Sequence, residues 1–355
     1  MNPSIPGPYL DPDYPPGRAS RGGDGFRSTS RTRRHLAAAA VVALATVLAS
    51  AALTVLVLRS RSAPWPPPDW LFAACDVGQG DALALAVGPA AAVVVDTGPD
   101  PAKADRCLAS LGVRKVPLLV LTHFHADHVD GVPGVLHGRT VTEIETTDDP
   151  DPPRGAAEVA SWAHAAEVPT TQAAAGEHRE YGALSWNVLW PDAAADRNPD
   201  LTRPKPKPKS DSKHSHRPRT SSHGGEEGSG PNNASVVLYV HIATRDGPIR
   251  LLLTGDIEPP AQHAVLAAHP DLAADVLKVP HHGSAYQDPD LFAVVHPRVA
   301  VISVGAGNTY GHPAARTVDL ASGAGARVFR TDRDGQIVVA GTALHLRVAT
   351  RRDTH

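Results

Sequence analysis

Short apolar runs alternate with longer amphipathic stretches from Trp70 to about residue 349. Runs of about four to eight apolar residues, bounded by glycine, proline or aspartate, are typical of buried strands, and the longer stretches are typical of helices. The predicted strands are Leu71–Asp76, Ala82–Val87, Ala92–Asp96, Val116–Thr122, Val141–Glu145, Leu184–Trp190, Ser235–Ile242, Ile249–Thr254, Val276–Val279, Val299–Val304, Val328–Thr331 and Ile337–Val339. The predicted helices are Lys103–Leu111, Asp130–Leu136, Gly155–Ala166, Pro259–His269, Pro289–Val295 and Ala314–Gly323. Interleaved strands and helices predict the α/β class.

The N-terminal part has a different pattern. Residues 1–35 are rich in proline, glycine, serine and arginine, which predicts a disordered tail. Residues 36–58 carry no charge, and a helix of about 23 residues rises roughly 34 Å, enough to cross a bilayer. More arginines precede this run than follow it, so the positive-inside rule predicts a cytoplasmic N-terminus and an extracellular remainder. The small residues Ala49-Ser50-Ala51 would also suit signal-peptide cleavage, but the apolar run continues to Leu58 and favours an uncleaved membrane anchor.

Two further segments lack apolar periodicity. Residues 59–69 contain Pro64, Pro66, Pro67 and Pro68, which predicts a stiff linker ahead of the domain at 70–349. Residues from about 192 to 232 are rich in lysine, proline, serine, histidine and glycine and predict a disordered insertion between two strands. Its basic residues could bind a polyanion weakly, but a tolerated loop expansion is the preferred interpretation.

The composition sets limits on what the chain can do. Of its 355 residues, 42% are hydrophobic and 20% are charged, so there is enough apolar material for a large core. The net charge of -3 excludes a uniformly basic nucleic-acid binder but allows a local basic patch. Cys75 and Cys107 are too few for a disulfide framework. We interpret them as two buried thiols, with a single disulfide as the alternative if the domain lies outside the cytosol.

The strongest chemical signal follows the predicted strand at 116–122. His123, His125, Asp127 and His128 lie within six residues. On an extended segment the first two imidazoles point to the same side, and the other two donors follow where the chain turns towards a helix. Three imidazoles and a carboxylate suit zinc, and also manganese or iron. This pattern predicts a metal site.

Three weaker signals also come at or after the ends of apolar strands. One is Gly255-Asp256, the second is the pair His281-His282, and the third is His312. Adjacent histidines after a strand point to different sides, so one of the pair is expected to be a ligand. Together these donors gather at one edge of the sheets, where ligand sites of sheet proteins lie.

These motifs resemble the metallo-β-lactamase superfamily and, within it, the hydrolase domain of the ComEC competence proteins. The resemblance covers roughly Leu71 to Val348 and keeps the order of motifs in that family. Its motifs are Asp76-Val-Gly-Gln-Gly-Asp81, Asp96-Thr-Gly98, Leu121-Thr-His-Phe-His-Ala-Asp-His128, Asn233-Ala-Ser235, Leu253-Thr-Gly-Asp256, Asp275-Val-Leu-Lys-Val-Pro-His-His-Gly-Ser284, Tyr310-Gly-His-Pro313 and Arg330-Thr-Asp332.

The resemblance implies a four-layer αββα sandwich with two divalent metal ions, Zn²⁺ or Mn²⁺, at the sheet edge. It implies that His123 and His125 bind one ion and that Asp127 and His128 bind the other. Asp256 would bridge the ions, and a histidine of the His281-His282 pair would complete the second site. Asp76, Asp81 and Asp96 would support the ligand loops, and His312 would line the cleft.

The chain departs from the family pattern in two ways. Many members have another histidine ligand between the first motif and the bridging aspartate, and the four histidines in that interval, His137, His164, His178 and His241, match no motif. The first ion is therefore expected to be less saturated, so the site holds one tight ion or prefers manganese. ComEC proteins also carry a many-helix channel, and a chain with one predicted span cannot form that channel by itself.

The expected activity is hydrolysis of a phosphodiester, most plausibly DNA. Asp127 or Asp256 would orient a metal-held hydroxide, and His312 or the second histidine of the pair would protonate the leaving group. Two alternatives stay open: an exported phosphoesterase acting on cell-envelope head groups, and a non-catalytic partner in DNA uptake. The expected partners are the membrane, DNA or another phosphodiester, and a separate channel protein.

Overall fold

The computed structural model describes residues 35, 39–51, 64–191 and 229–352. The chain divides into two compact units, Met1–Ala63 and Pro64–His355. The first contains a helix over residues 39–51. In the described ranges, no helix combines the length and the apolar character needed to cross a membrane. The predicted span at 36–58 extends past the described residues at both ends, so the anchor stays a prediction, and most of the predicted tail and insertion also lies outside them.

The second unit contains two β-sheets. The first sheet has ten strands, in the order β17-β16-β1-β2-β3-β5-β7-β8, with β4 paired to β3 and β6. In this sheet order, the strands from β17 to β3 pair antiparallel, and the strands from β3 to β8 pair in parallel. The strands of this sheet are β1 (Trp70–Ala74), β2 (Leu83–Gly88), β3 (Ala91–Val95), β4 (Lys115–Val116), β5 (Leu119–Leu121), β6 (Thr140–Val141), β7 (Ile144–Thr146), β8 (Thr170–Gln172), β16 (Gln336–Gly341) and β17 (Leu346–Arg351).

The second sheet has seven strands in consecutive order from β15 to β9. Strands β9 to β12 pair antiparallel, and β12 to β15 pair in parallel. Its strands are β9 (His178–Tyr181), β10 (Leu184–Trp190), β11 (Val237–Thr244), β12 (Gly247–Leu253), β13 (Val276–Lys278), β14 (Val299–Ile302) and β15 (Arg327–Arg330).

The helices of this unit lie outside the two sheets and in the loops at their edges. The α-helices are α1 (Pro101–Ser110), α2 (Ala126–Val129), α3 (Val132–Leu136), α4 (Pro153–Ala165), α5 (Ser229–Asn233), α6 (Pro259–Ala268), α7 (Pro289–Val295), α8 (Ala315–Gly323) and α9 (Thr331–Asp334). Several begin with proline in the first turn, where its missing N–H costs no hydrogen bond. Asp100 also caps α1, because its carboxylate accepts hydrogen bonds from the backbone N–H groups of residues 102 and 103.

Three separate apolar cores divide the unit into four layers. Leu85 and Trp186 belong to the core between the two sheets. Leu108 packs with the first sheet in a second core, and Phe292 packs with the second sheet in a third. The order of layers is therefore helix, sheet, sheet, helix, which agrees with the predicted αββα sandwich. Fully burying side chains of this size stabilises the fold by about 1.5–3 kcal/mol each.

The C-terminal part of the predicted proline-rich linker packs within the second unit. Residues from Pro64 onward belong to the second unit. The indole N–H of Trp65 donates a hydrogen bond of 3.0 Å to Gln336, and the guanidinium of Arg351 lies 4.9 Å from the centre of the Trp65 ring. The prolines explain why this segment is stiff and extended. The Trp65 side chain attaches it to the domain, because its indole has both an apolar ring and an N–H donor. The insertion also ends earlier than predicted, because α5 begins at Ser229 and its Asn232 and Asn233 are buried.

The interpretation of the two cysteines as free thiols is wrong. Cys75 and Cys107 form a disulfide, with their Cα atoms 5.8 Å apart. The bond ties the end of β1 to helix α1. In the chain-entropy description, closing a ring of this size stabilises a fold by about 3–4 kcal/mol. Sequence spacing could not reveal the pairing, because the two residues meet only after the first sheet and its helix have packed together.

A charged cluster connects the two sheets near one edge. Arg179 on β9 contacts three glutamates, namely Glu143, Glu145 and Glu177, at 3.0, 2.6 and 2.7 Å. Glu145 on β7 is completely buried. Burial raises the pKa of Glu145 from 4.5 to about 7, although Arg179 opposes the shift.

We expect Glu145→Gln to flatten the pH dependence of stability between pH 4.5 and 7. The pKa of this carboxyl is higher in the folded state than in the unfolded state. The folded protein therefore binds the extra proton in this window, and the free energy of unfolding falls as the pH rises through it. A shift of this size corresponds to about 3 kcal/mol over the whole window. Urea unfolding at pH 4.5 and pH 7.5 measures the difference between variant and wild type.

Glu180→Gln is the matched control, since Glu180 lies on the same strand as Arg179 and is exposed to solvent. The control should keep the slope of the wild type. If Glu145→Gln also keeps that slope, the buried carboxyl does not titrate in this window.

Candidate metal centre

Five loops bring the chemically active side chains together. Those after β3, β5, β12 and β13 carry Asp96, the motif at 123–128, Asp256 and the histidine pair, and the loop between β1 and β2 carries Asp81. The strands β3 and β5 are parallel neighbours, as are β12 and β13, so their carboxyl ends meet at the same edge. The close approach also depends on Gly80, where a Cβ atom would lie 2.0 Å from the carbonyl oxygen of Asp127.

His128 is held rigidly at the centre of the site. Its Nδ1 donates a 2.8 Å hydrogen bond to the Asp96 carboxylate. Asp96 also accepts hydrogen bonds of 2.8 Å from the backbone N–H and the hydroxyl of Thr122. The other ring nitrogen, Nε2, lies 3.3 Å from Asp256 and 3.8 Å from Asp127. A carboxylate that fixes one nitrogen of an imidazole while the other faces the donor cluster is the usual support of a metal-binding histidine.

The structure separates the two adjacent histidines. His282 is buried, and its Nδ1 lies 2.9 Å from the carbonyl oxygen of Ser303, which can only accept a hydrogen bond. In the neutral ring, Nε2 therefore carries the lone pair that could bind a metal, and it lies 3.1 Å from both Asp127 and Asp256. The side chain of His281 turns away and lies 3.6 Å from Glu258. Of the pair, only His282 joins the donor atoms of the cluster within the described part of the chain.

Asp256 forms an ion pair with a lysine on the neighbouring strand. The ammonium of Lys278 donates to Asp256 Oδ1 at 3.2 Å and to the carbonyl oxygen of Gly255 at 2.8 Å, and it also pairs with Asp81. All three charged side chains are buried. A lysine in the middle of an apolar strand signals such a partner, because a buried ammonium without a counter-charge is very costly. No sequence motif indicated this role for Lys278.

His123 and His125 lie next to each other, as their two-residue spacing predicts. The Nε2 of His123 lies 3.0 Å from the Nδ1 of His125, and both side chains are buried. His123 groups with His128 and Asp256, with one donor atom of each within 4.8 Å of the others. His125 is in none of these groups, but its ring lies directly against that of His123, so its predicted role as a ligand stays a prediction.

The ring of His312 packs against the rings of His281 and Tyr310. Its ring centre is 5.4 Å from that of His281 and 5.9 Å from that of Tyr310. Asn308 fixes this loop, since its side chain donates to the carbonyl oxygen of His312 and accepts from its backbone N–H. Among the described residues, His281 and His312 therefore form a pair outside the donor groups, and the role of His312 in lining the cleft stays a prediction.

The electrostatics of the cluster depend on burial and on its carboxylates. Burial would lower the pKa of His128 and of His282, but Asp256 and its neighbouring carboxylates raise both well above the ordinary value. Burial would raise the pKa of Asp256, but the two imidazoles and Lys278 hold it well below the usual range. Burial and the adjacent His128 lower the pKa of His123. The carboxylates are therefore ionised near neutral pH and attract cations.

The donor set suits divalent metal ions. The four groups with metal-like spacing draw on two kinds of ligand, imidazole nitrogen and carboxylate oxygen: His123, Asp127, His128, Asp256, His282, Asp81 and Asp96. This mixture is typical of zinc and manganese sites. The orienting hydrogen bonds of His128 and His282 already occupy one nitrogen of each ring, and the other nitrogens face the carboxylates. The residues present thus fit divalent metal binding.

Comparisons with known proteins agree with this geometry. Residues 75–304 match the family described as Metallo-beta-lactamase superfamily. The chain is 38% identical over 107 residues to the ComE operon protein 3 of Bacillus subtilis (strain 168). This match covers 30% of this chain and 13% of that protein. It is 25% identical over 307 residues to an uncharacterized protein, YcaI, of Escherichia coli (strain K12), covering 81% of this chain and 33% of that protein.

The chain thus spans a third or less of the length of these two relatives. Among solved structures, it is similar to the metallo-beta-lactamase fold protein YhfI from Bacillus subtilis, with 10% identity and a TM-score of 0.43. That match covers 73% of this chain and 96% of YhfI.

Proposed function

Because the chain belongs to the metallo-beta-lactamase superfamily, we propose that it is a metal-dependent phosphodiesterase that cuts DNA at the outer face of a cell membrane. The observation that carries the hydrolytic part is the arrangement of His128, His282, Asp127 and Asp256, whose donor atoms approach each other within 3.1–3.8 Å. Hydrolysis at a phosphodiester suits a site that combines ionised carboxylates with imidazoles.

The side chains around the cluster have distinct tasks in this reaction. Divalent ions held by Asp127, His128, Asp256 and His282 would activate a water molecule near neutral pH and stabilise the negative charge that develops on the phosphoryl oxygens. Asp127 and Asp256 accept hydrogen bonds from the attacking water and so orient it. His281 and His312 stand outside the donor groups, where an imidazole can give a proton to the leaving oxygen. Glu258, 3.6 Å from His281 Nδ1, would hold that ring in position.

DNA as the substrate has two lines of support. The resemblance to ComEC competence proteins implies DNA, and a matched relative carries the name ComE operon protein 3. The second line is Tyr286 and Tyr310, which are 45% and 57% exposed on the loops that carry the histidine pair and His312. Exposed aromatic rings beside a phosphodiesterase site provide surfaces on which unpaired bases stack.

Two features support the proposed location outside the cytosol. The uncharged run at 36–58 is the proposed anchor, with the N-terminus in the cytoplasm. The Cys75–Cys107 disulfide is typical of proteins in oxidising compartments. A single-span protein of this kind would pass DNA to a separate channel protein. The same location also favours the second candidate, a phosphoesterase that acts on envelope head groups.

The proposal is tested by assaying the full-length chain on single- and double-stranded DNA with Mn²⁺ or Zn²⁺, in parallel with glycerophosphocholine as a head-group substrate. We expect cleavage of DNA that Asp127→Ala abolishes. Asp130→Ala is the matched control, because this aspartate lies one turn further on and belongs to none of the donor groups among the described residues. Cleavage of glycerophosphocholine alone would favour the second candidate. No activity, together with metal-free protein by elemental analysis, would favour a non-catalytic partner.

A further inference from the structure

A cavity of about 250 Å³ lies outside the metal centre, between helix α1 and the last strand. Four basic side chains line it. Lys103 and Arg106 belong to α1, Arg351 is the last residue of β17, and Arg352 follows it. Two carboxylates, Asp76 and Asp332, also line it. This arrangement takes no part in the mechanism above.

The charge of the cavity is positive. Asp332 is held by Arg330 in an ion pair of 2.6 Å, so its charge is already balanced. Within the part of the chain that the structure describes, Lys103, Arg106 and Arg352 form no salt bridge. Three cations without a paired carboxylate face a common space, which favours an anion there.

The walls of the cavity are rigid. Cys107 belongs to the lining and is tied by its disulfide to Cys75. Gln336 accepts hydrogen bonds from the hydroxyl of Ser110 at 2.9 Å and from the indole of Trp65 at 3.0 Å. Rigid walls lower the entropy lost when a ligand is bound.

The cavity and the metal centre share two loops but no residue. Asp76 lines the cavity, and Asp81 of the same loop belongs to the donor cluster. Five residues of extended chain reach about 18 Å at most, which sets an upper limit on the separation of their Cα atoms. On the other loop, Ala306 lines the cavity, and Ser303 accepts the hydrogen bond from His282. Because the two sites have no residue in common, the cavity is a site separate from the metal centre. The upper limit on the separation is short enough for another phosphate of the same strand, a few nucleotides away, to reach the cavity.

We propose that this cavity binds a backbone phosphate of a polymeric phosphodiester while a different phosphate of the same strand is cut at the metal centre. The inference rests on the proposed function and narrows it, because a head-group phosphodiester has no second phosphate to place there. Guanidinium and ammonium groups are the side chains that bind phosphate oxygens most strongly. The cavity thus selects long substrates over short ones.

The test removes two positive charges from the cavity with Lys103→Ala/Arg106→Ala in the full-length chain. Arg114→Ala/Lys115→Ala is the matched control, because it removes one arginine and one lysine from an exposed position elsewhere on the same unit. The substrates are a 12-nucleotide single strand, a dinucleotide and bis(p-nitrophenyl) phosphate. We expect KM for the 12-mer to rise about 10- to 100-fold in the cavity variant only. The kcat values and the KM for the two short substrates should not change.

Salt dependence gives a second readout. The slope of log(1/KM) for the 12-mer against log salt should become shallower by about 0.7 in the cavity variant, since each neutralised phosphate of a single strand contributes about 0.7 and the cavity holds one. Equal effects in the cavity variant and the control would overturn the proposal, as would equal effects on long and short substrates.

Failure of the proposed function gives a different result. If no substrate is cut, binding of a fluorescent 12-mer still reports on the cavity. Weaker binding in the cavity variant alone would then support the phosphate site without the hydrolysis. Unchanged binding would overturn the site.

Discussion

Replacing His282 with alanine should lower turnover by about 10³-fold or more and remove most of the bound metal, whereas His281→Ala should keep its metal. The Nε2 of His282 lies 3.1 Å from two carboxylates of the cluster, and its other nitrogen is fixed by Ser303. Loss of a residue that merely orients a ligand costs 10- to 100-fold in metal affinity, so loss of a donor itself should cost more. His281 contacts Glu258 and the His312 ring.

Elemental analysis of the purified variants measures the first effect, and initial rates on a phosphodiester at saturating metal measure the second. His281→Ala should lose about a hundredfold in rate through the missing proton donor, with the metal content of the wild type. The two neighbours serve as each other's control, because they differ by one position in the same turn. Equal metal content in the two variants would show that the donor set has been assigned wrongly.

The sequence could narrow this pair to one ligand but could not choose between its members. Both residues have positive φ angles, 49° for His281 and 51° for His282, inside a short 3₁₀ turn. The alternation of an extended strand therefore does not apply, and the direction of each ring depends on Ser303 and Glu258, which lie far away in the chain. Tertiary hydrogen bonds therefore determine which of the two histidines faces the donor cluster.

Residues two apart on an extended segment point to the same side, and this rule placed His123 and His125 better than it placed the histidine pair. His123 and His125 were expected on the same side, and their ring nitrogens are 3.0 Å apart. The rule gave no distance from these two histidines to Asp81. The resemblance assigned Asp81 to a supporting role, and in the structure its carboxylate pairs with Lys278 and lies 3.5 Å from His282 Nδ1.

The fold was predictable where apolar periodicity was strong. The helix Pro289–Val295 has the predicted bounds, and most central strands lie within two residues of theirs. The missed strands β8, β9 and β17 lie at or near sheet edges and carry exposed polar residues, so they show no apolar run. The helix predicted at 130–136 begins two residues later, as α3, and the short helix α2 that precedes it was not predicted. Gly131 lies between the two helices, where a Cβ atom would be 2.1 Å from the carbonyl oxygen of Thr97.

Lys278 shows a further limit of sequence interpretation. An apolar strand with a single charged residue places Lys278 at the end of β13 but does not name its partners. The structure adds the partners: its ammonium connects Asp81 and Asp256 across two loops. Burial lowers the pKa of Lys278, but these two carboxylates reverse the effect and raise it above the ordinary value. The lysine therefore stays charged and positions Asp256 for its part in the cluster.

Lys278→Met should destabilise the protein by about 3–5 kcal/mol, because removal of one partner leaves a buried carboxylate without its counter-charge. Methionine keeps much of the volume of the aliphatic stem, so lost packing contributes little. The free energy of unfolding in urea, measured after treatment with a chelator, isolates the protein's own charges from those of bound metal. Adding Asp81→Asn to Lys278→Met should recover a large part of the loss, since the unpaired charge disappears with it. If the two substitutions are instead additive, the pair is not coupled and Lys278 stabilises the strand by packing alone.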